Sequence, residues 1–206
     1  HTDAAQSIGK VPVKVGDLGV DLLSIAGHKL YAPKGVGALF VRRGVELTPV
    51  LLGADHEHGL RPGTENVAAI VALGQACEIL ARDLAIAVAR MQTLRDGLWQ
   101  QLAAAIPGLV LNGHHELRLP NTLNVRFPRV SGSAMLANTP QIAASTGSAC
   151  HAGQDSASRA ILAMGVAADE ALGSVRLSLG RNTTAAQIPL ATTALIAAWQ
   201  SIAGEP

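Results

Sequence analysis

Apolar residues along this chain fall first into short runs and later into longer periodic stretches. Residues 21–25 and 38–41 are short apolar runs, the pattern of buried strands. Pro33, Gly35 and Gly37 lie between them and mark a turn. Residues 11–21 form a connector punctuated by Gly16, Asp17 and Gly19. The period then changes. Ile70, Val71, Gly74, Cys77, Leu80 and Ala81 recur at spacings of three and four, which predicts a helix over 67–89 with Cys77 as an inert core thiol. A second helix is predicted over 89–106, ended by Pro107 and Gly108. The domain boundary is placed within these helices, dividing the chain into 1–88 and 89–206. Residues 109–112 and 122–127 read as strands of a smaller α+β domain. A helix over 133–143 is broken by Pro140, and another over 156–164 is closed by Gly165. Val175, Leu177 and Leu179 alternate with Arg176 and Ser178, so this strand turns Arg176 away from the core. An amphipathic helix over 185–203, capped by Thr183 or Thr184, ends the pattern.

Composition narrows the classes. The chain has 206 residues, 49% of them hydrophobic and only 2% aromatic, so the core is built from Ala, Val, Leu and Ile. A formal charge of +1 without a basic cluster argues against nucleic acid as the main partner. No run of about 18 apolar residues is present, so no membrane span is expected. No signal-peptide pattern is seen, and two distant cysteines do not suggest a disulfide framework. A reducing, cytoplasmic setting fits.

Candidate chemistry sits in a few places. Lys29 follows Gly27 and His28 at the edge of two apolar strands, where a desolvated amine can act as a nucleophile toward an aldehyde. The plainer reading is a lysine that reaches solvent at a strand end. Cys150 stands in the small-residue run Ser145-Thr146-Gly147-Ser148-Ala149-Cys150-His151-Ala152-Gly153, which predicts an exposed, mobile loop. A thiol there suits attack on a bound substrate; a chance surface cysteine is the alternative. Asp3 reads equally as a helix N-cap, and Thr64 as an N-cap with Glu65 in the first turn. His56 and His58 are too few for a metal and read as a solvated loop, so no metal site is expected. His114 and His115 read as solvent-facing, and Arg176 as an arginine on a solvated strand face.

In order, His1-Thr2-Asp3-Ala4-Ala5-Gln6, Gly27-His28-Lys29, Arg61-Pro62-Gly63-Thr64-Glu65-Asn66, Gly147-Ser148-Ala149-Cys150 and Val175-Arg176-Leu177-Ser178-Leu179-Gly180-Arg181 are the stretches that carry a likeness. From the first residue to about Thr184 the chain resembles pyridoxal-phosphate enzymes of the class V aminotransferase group, and within it the NifS-type cysteine desulfurases and selenocysteine lyases. The resemblance implies an α/β chain: the C-terminal part of a fold-type-I large domain over 1–88, then a small α+β domain over 89–206. Roughly the N-terminal half of the family's length would be absent. It implies that Lys29 carries pyridoxal 5'-phosphate, Asp3 pairs with the ring nitrogen, Gln6 bonds the ring hydroxyl and His28 helps hold the phosphate. Thr64 would reach a partner's cofactor across a homodimer, Arg176 would bind the substrate carboxylate and Cys150 would accept the sulfur. Ala26 stands where many desulfurases have a hydroxyl, and with His151 it leans toward the lyases. The function implied is removal of sulfur from L-cysteine, giving L-alanine and a persulfide on Cys150 that passes to an acceptor protein, as in iron–sulfur cluster assembly. Alternatives are a lyase acting on L-selenocysteine, an aminotransferase in which Cys150 is dispensable, and an inactive truncated chain that only binds or dimerises.

Overall fold

The computed structural model describes residues 1–147 and 157–204. The chain divides into two compact units, His1–Ile86 and Ala87–Pro206. In the first, three strands form a sheet in the order β1-β2-β3: Thr2–Asp3, Leu22–Ala26 and Gly37–Val41. Strand β1 runs parallel to β2, with Asp3 opposite Ser24, and β3 is antiparallel, with Ala26 opposite Gly37. Helix α1, Val15–Leu18, is a single turn ended by Gly19 at a φ of 64°. Leu23 and Leu30 are buried together with Ala4, Ala5, Ala69, Leu73 and Ala76. Strand β3 was expected to be buried, yet Leu39 is 49% exposed. Its apolar residues match a strand's composition, which does not say whether anything covers them.

The two helices expected over 67–106 are one. Helix α2 runs unbroken over Val67–Ala105. Residues 84–92 contain neither glycine nor proline and are rich in alanine and other good helix formers, so nothing there stops propagation. The buried stripe also differs from the expected one. Ala69, Leu73 and Ala76 face inward, whereas Ile70 is 45% exposed, Val71 is 66% exposed and Cys77 is an exposed free thiol. Both stripes have helical spacing and lie one residue apart, about 100° around the axis. The buried stripe is carried largely by small alanines, which periodicity weighted by side-chain size overlooks.

In the second unit β4 (Val110–Leu111), β5 (Thr122–Arg126) and β6 (Ser174–Ser178) form an antiparallel sheet in that order. Alternation is strict. Leu111, Leu123, Val125, Val175 and Leu177 join one core with Leu98 and Leu102 of α2, with Ile106 just beyond its end, and with Ile188, Leu195 and Trp199. The last three belong to α6, Gln187–Ala203. The opposite face of the sheet is polar: Asn112 donates to Asn124 Oδ1 at 2.8 Å and to Ser174 Oγ at 3.1 Å.

The shorter helices differ in detail from expectation. Helix α3 covers only Gly132–Ala137, capped by the Ser131 hydroxyl. Helix α4, Arg159–Ala163, is followed by Gly165 at a φ of 82°. Helix α5, Ala168–Ala171, is one turn. Neither threonine caps α6. The Thr183 hydroxyl accepts from Gly180 N–H at 3.0 Å, and Gln187 reaches back to accept from Thr184 N–H at 2.8 Å.

Candidate functional site

Because β1 and β2 are parallel, their carboxyl ends share one end of the sheet, the end at which open α/β sheets bind ligands. Asp3 closes β1, and Gln6 lies in the turn that follows. Directly after β2 the backbone tightens into a 3-10 turn, Gly27–Leu30, which presents His28 and Lys29. The structure thus places Asp3, Gln6, His28 and Lys29 at one end of one sheet. The turn is held at both ends. A Cβ on residue 27 would lie 2.6 Å from the Val36 carbonyl oxygen, which accepts the Gly27 N–H at 2.9 Å, so only glycine fits there. Leu30 is buried, and Tyr31 closes the turn in the left-handed region at a φ of 68°. Lys29 is consequently half-buried, between buried Leu30 and exposed His28.

Asp3 has a local task as well. Its Oδ1 accepts the Ala5 N–H at 2.8 Å, as the capping alternative anticipated, but residues 5–10 form hydrogen-bonded turns and not an α-helix. Next to it the His1 ring lies 2.7 Å from the Ser24 hydroxyl. Lys10 is a residue that sequence reasoning missed. Its amine is pushed below the ordinary lysine range, first by burial and then by the charge of Lys29. Gly9, at a φ of +73°, brings this turn against Leu30, whose Cδ2 would lie 3.4 Å from a Cβ at that position. A Gly-Lys pair after a turn is too common to attract notice in a sequence.

Thr64 is exposed and does not cap α2; Asn66 does, its Oδ1 accepting the Ala69 N–H at 3.2 Å. Asn66 has the right residue type for the position, and the error was one of register by two residues. The loop before it is pinned by His56, whose Nδ1 accepts the Gly63 N–H at 3.3 Å, and by Arg61, which donates to the Gly63 carbonyl at 3.2 Å.

In the second unit Arg176 lies opposite Asn124 on β5, and its backbone bonds Ser145 in both directions, at 3.2 and 2.7 Å. Its Nε is buried and has no hydrogen-bond partner among the described residues. A buried guanidinium nitrogen without an acceptor is costly, and an anionic ligand would relieve that cost. Cys150 and His151 lie outside the described residues.

These donors suit pyridoxal phosphate, the group that the motifs imply. A half-buried primary amine faces aldehyde chemistry, a carboxylate stands at the same sheet end for a protonated ring nitrogen, and an imidazole adjoins the amine for a phosphate. The backbone at Gly27 is packed too closely for any side chain, so a substitution there would displace the turn that presents the amine.

Known proteins resemble the chain along most of its length. It is 46% identical to a cysteine desulfurase of Nostoc sp. over 190 residues, which is 91% of this chain and 48% of the relative. It is 43% identical to the cysteine desulfurase NifS of Azotobacter vinelandii, covering 91% of this chain and 47% of that one. Among solved structures, a NifS-like protein from Rickettsia africae superposes with a TM-score of 0.84 at 29% identity, over 97% of this chain and 52% of the other. A second NifS-like protein gives 0.82 at 35% identity, over 95% and 50%. The chain therefore spans about half the length of the relatives it matches. Its α/β fold is the one these structures carry. The aminotransferase class-V family model matches residues 1–190, and the chain belongs to that family.

Proposed function

We propose that this chain is the C-terminal half of a pyridoxal-phosphate-dependent cysteine desulfurase that converts L-cysteine to L-alanine and holds the sulfur as a persulfide. The observation that carries this reading is the Lys29 turn: a half-buried amine, fixed by Gly27 and Leu30, at the sheet end where Asp3 also lies. The relatives named as cysteine desulfurases supply the substrate class. When bound, the cofactor supplies an electron sink for the charge left at the substrate α-carbon. Asp3 holds its carboxylate against the protonated ring nitrogen, Gln6 bonds the ring hydroxyl, and His28 takes the phosphate. Thr64 takes a partner's phosphate in a homodimer. Arg176 clamps the substrate α-carboxylate, using the nitrogen that has no acceptor among the described residues. Lys29 as the free amine removes the α-proton. The Cys150 thiolate attacks the substrate sulfur and the carbon–sulfur bond breaks. The electron pair stays on the β-carbon, which takes up a proton, and Lys29 returns a proton to the α-carbon to give L-alanine. An acceptor protein then receives the sulfur from Cys150.

The test uses the chain incubated with pyridoxal phosphate and then freed of excess. Visible absorbance should appear, borohydride should fix the cofactor mass to Lys29, and Lys29→Ala should lose both signals. Cys150→Ser should keep the colour and lose sulfide release from L-cysteine. A colourless chain leaves only the binding-piece reading. Unimpaired turnover in Cys150→Ser points to an aminotransferase, and faster turnover of L-selenocysteine to a lyase.

A further inference from the structure

A cavity of about 610 Å³ lies in the second unit, at the end of the sheet where Val110 of β4 is paired with Arg126 of β5. None of its lining residues has a place in the proposed desulfurase site. Its size is that of small-molecule pockets. One part of the wall is apolar, from Val110 and Leu172. Residues of both charge signs line the rest: Arg126, Arg129, Asp169 and Glu170.

The charge arrangement is unevenly satisfied. The Arg126 side chain is 16% exposed, and its partner Glu170, at 3.3 Å, is 60% exposed. An ion pair with one member largely in water contributes little, so a ligand carboxylate can take Glu170's place on the buried guanidinium at small cost. The carboxylate released, with Asp169 beside it, then faces a ligand cation. The rim is built and not slack. Arg129 holds a left-handed φ of 63°, a conformation uncommon for a residue of its size. Its guanidinium lies over the Trp199 ring, 5.7 Å from the centroid, and the Trp199 indole N–H donates to the Pro128 carbonyl at 3.0 Å. Strain held in place by such contacts is characteristic of ligand clamps.

We propose that this cavity binds a zwitterion with an apolar body, an amino acid of leucine or phenylalanine size or a dipeptide of such residues. Its carboxylate sits on Arg126, its ammonium faces Asp169 and Glu170, and its side chain lies on Val110 and Leu172. The proposal does not depend on the desulfurase reading, because binding is measured without cofactor or turnover. Calorimetry on the full chain with L-leucine, L-phenylalanine and L-leucyl-L-leucine should show saturable binding of at least one, with a Kd below ~10 mM. The same titration with leucinamide, which lacks the carboxylate, and with 4-methylpentanoate, which lacks the ammonium, should be weaker by about tenfold each. Arg126→Gln should weaken the zwitterion by a similar factor. Glu170→Gln, at an exposed position that leaves the core untouched, should weaken it while leaving 4-methylpentanoate unimpaired. Absence of saturable binding for all three zwitterions, equal binding of the charge-deleted analogues, or unchanged affinity in Glu170→Gln would each overturn the proposal.

Discussion

The proton on Lys10 is held less tightly in the folded chain than in the unfolded one, because burial and then the Lys29 charge both disfavour it. The sign of the consequence follows. Well below the lowered folded-state pKa both states carry the proton, and folding bears the full cost of the charge. Between that pKa and the ordinary 10.5 the unfolded chain binds more protons, so stability rises with pH through this window. Lys10→Met should therefore be more stable than the parent near neutral pH, and the difference should shrink as pH climbs toward 10.5. Urea midpoints of both proteins at about pH 7 and about pH 10 check this; a difference that is flat or grows with pH contradicts it. The same residue shows what the sequence conveys about the site. A lysine in Gly27-His28-Lys29 between two strands is legible, since glycine and short apolar runs fix the local backbone. Lys10 is not, because its proximity to Lys29 arises from a turn packing on Leu30 across about twenty intervening residues. Capping errs for a related reason: Thr64 and Asn66 are both good caps by type, and only backbone geometry selects Asn66.

At the scale of elements, strand positions were legible from short apolar runs and alternation, and β2, β3, β5 and β6 lie where those patterns put them. Burial was legible only where polar residues alternate with apolar ones. In β5 and β6 the alternation names the buried face correctly, and Leu123, Val125, Val175 and Leu177 lie inside. In β3 the run Ala38-Leu39-Phe40-Val41 lacks polar residues, so its pattern names no face. In α2 two neighbouring apolar stripes compete, and the one carrying Ala69, Leu73 and Ala76 is buried. This contrast has measurable consequences. Leu123→Ala empties a fully buried site and should cost about 3 kcal/mol in denaturant unfolding of the transition that reports the second unit. Leu39→Ala, on the half-exposed β3, should cost under about 0.5 kcal/mol. Comparable losses at the two positions would contradict the assignment of β3 as an open strand.

The two units divide the apolar material of the molecule unequally. The contiguous core lies in the second, where Phe127, Trp199 and Met135 join the leucines and valines of the sheet and of α2 and α6. Buried apolar residues of the first are chiefly alanines, with Leu23, Leu30 and Leu73 the large ones. Alanine buries little area, and each ordered residue costs conformational entropy whether or not its side chain contributes. A unit of 86 residues with so few large buried side chains has little to set against that cost. The continuous α2 does not change the balance, because residues 98, 102 and 106, which feed the large core, all lie beyond Ile86. A chain beginning at residue 87 keeps those side chains, all three strands of the second sheet and α6. Its stretch of α2 is long enough to persist when packed on that core. Expressed alone, residues 87–206 should unfold in a single cooperative transition, whereas residues 1–86 alone should show weak amide protection and no cooperative transition. Hydrogen exchange and urea titration of the two pieces distinguish the outcomes. A cooperative, protected 1–86 would mean that its sheet and its few leucines suffice without the rest of the chain, and the unequal division of core would then not govern stability.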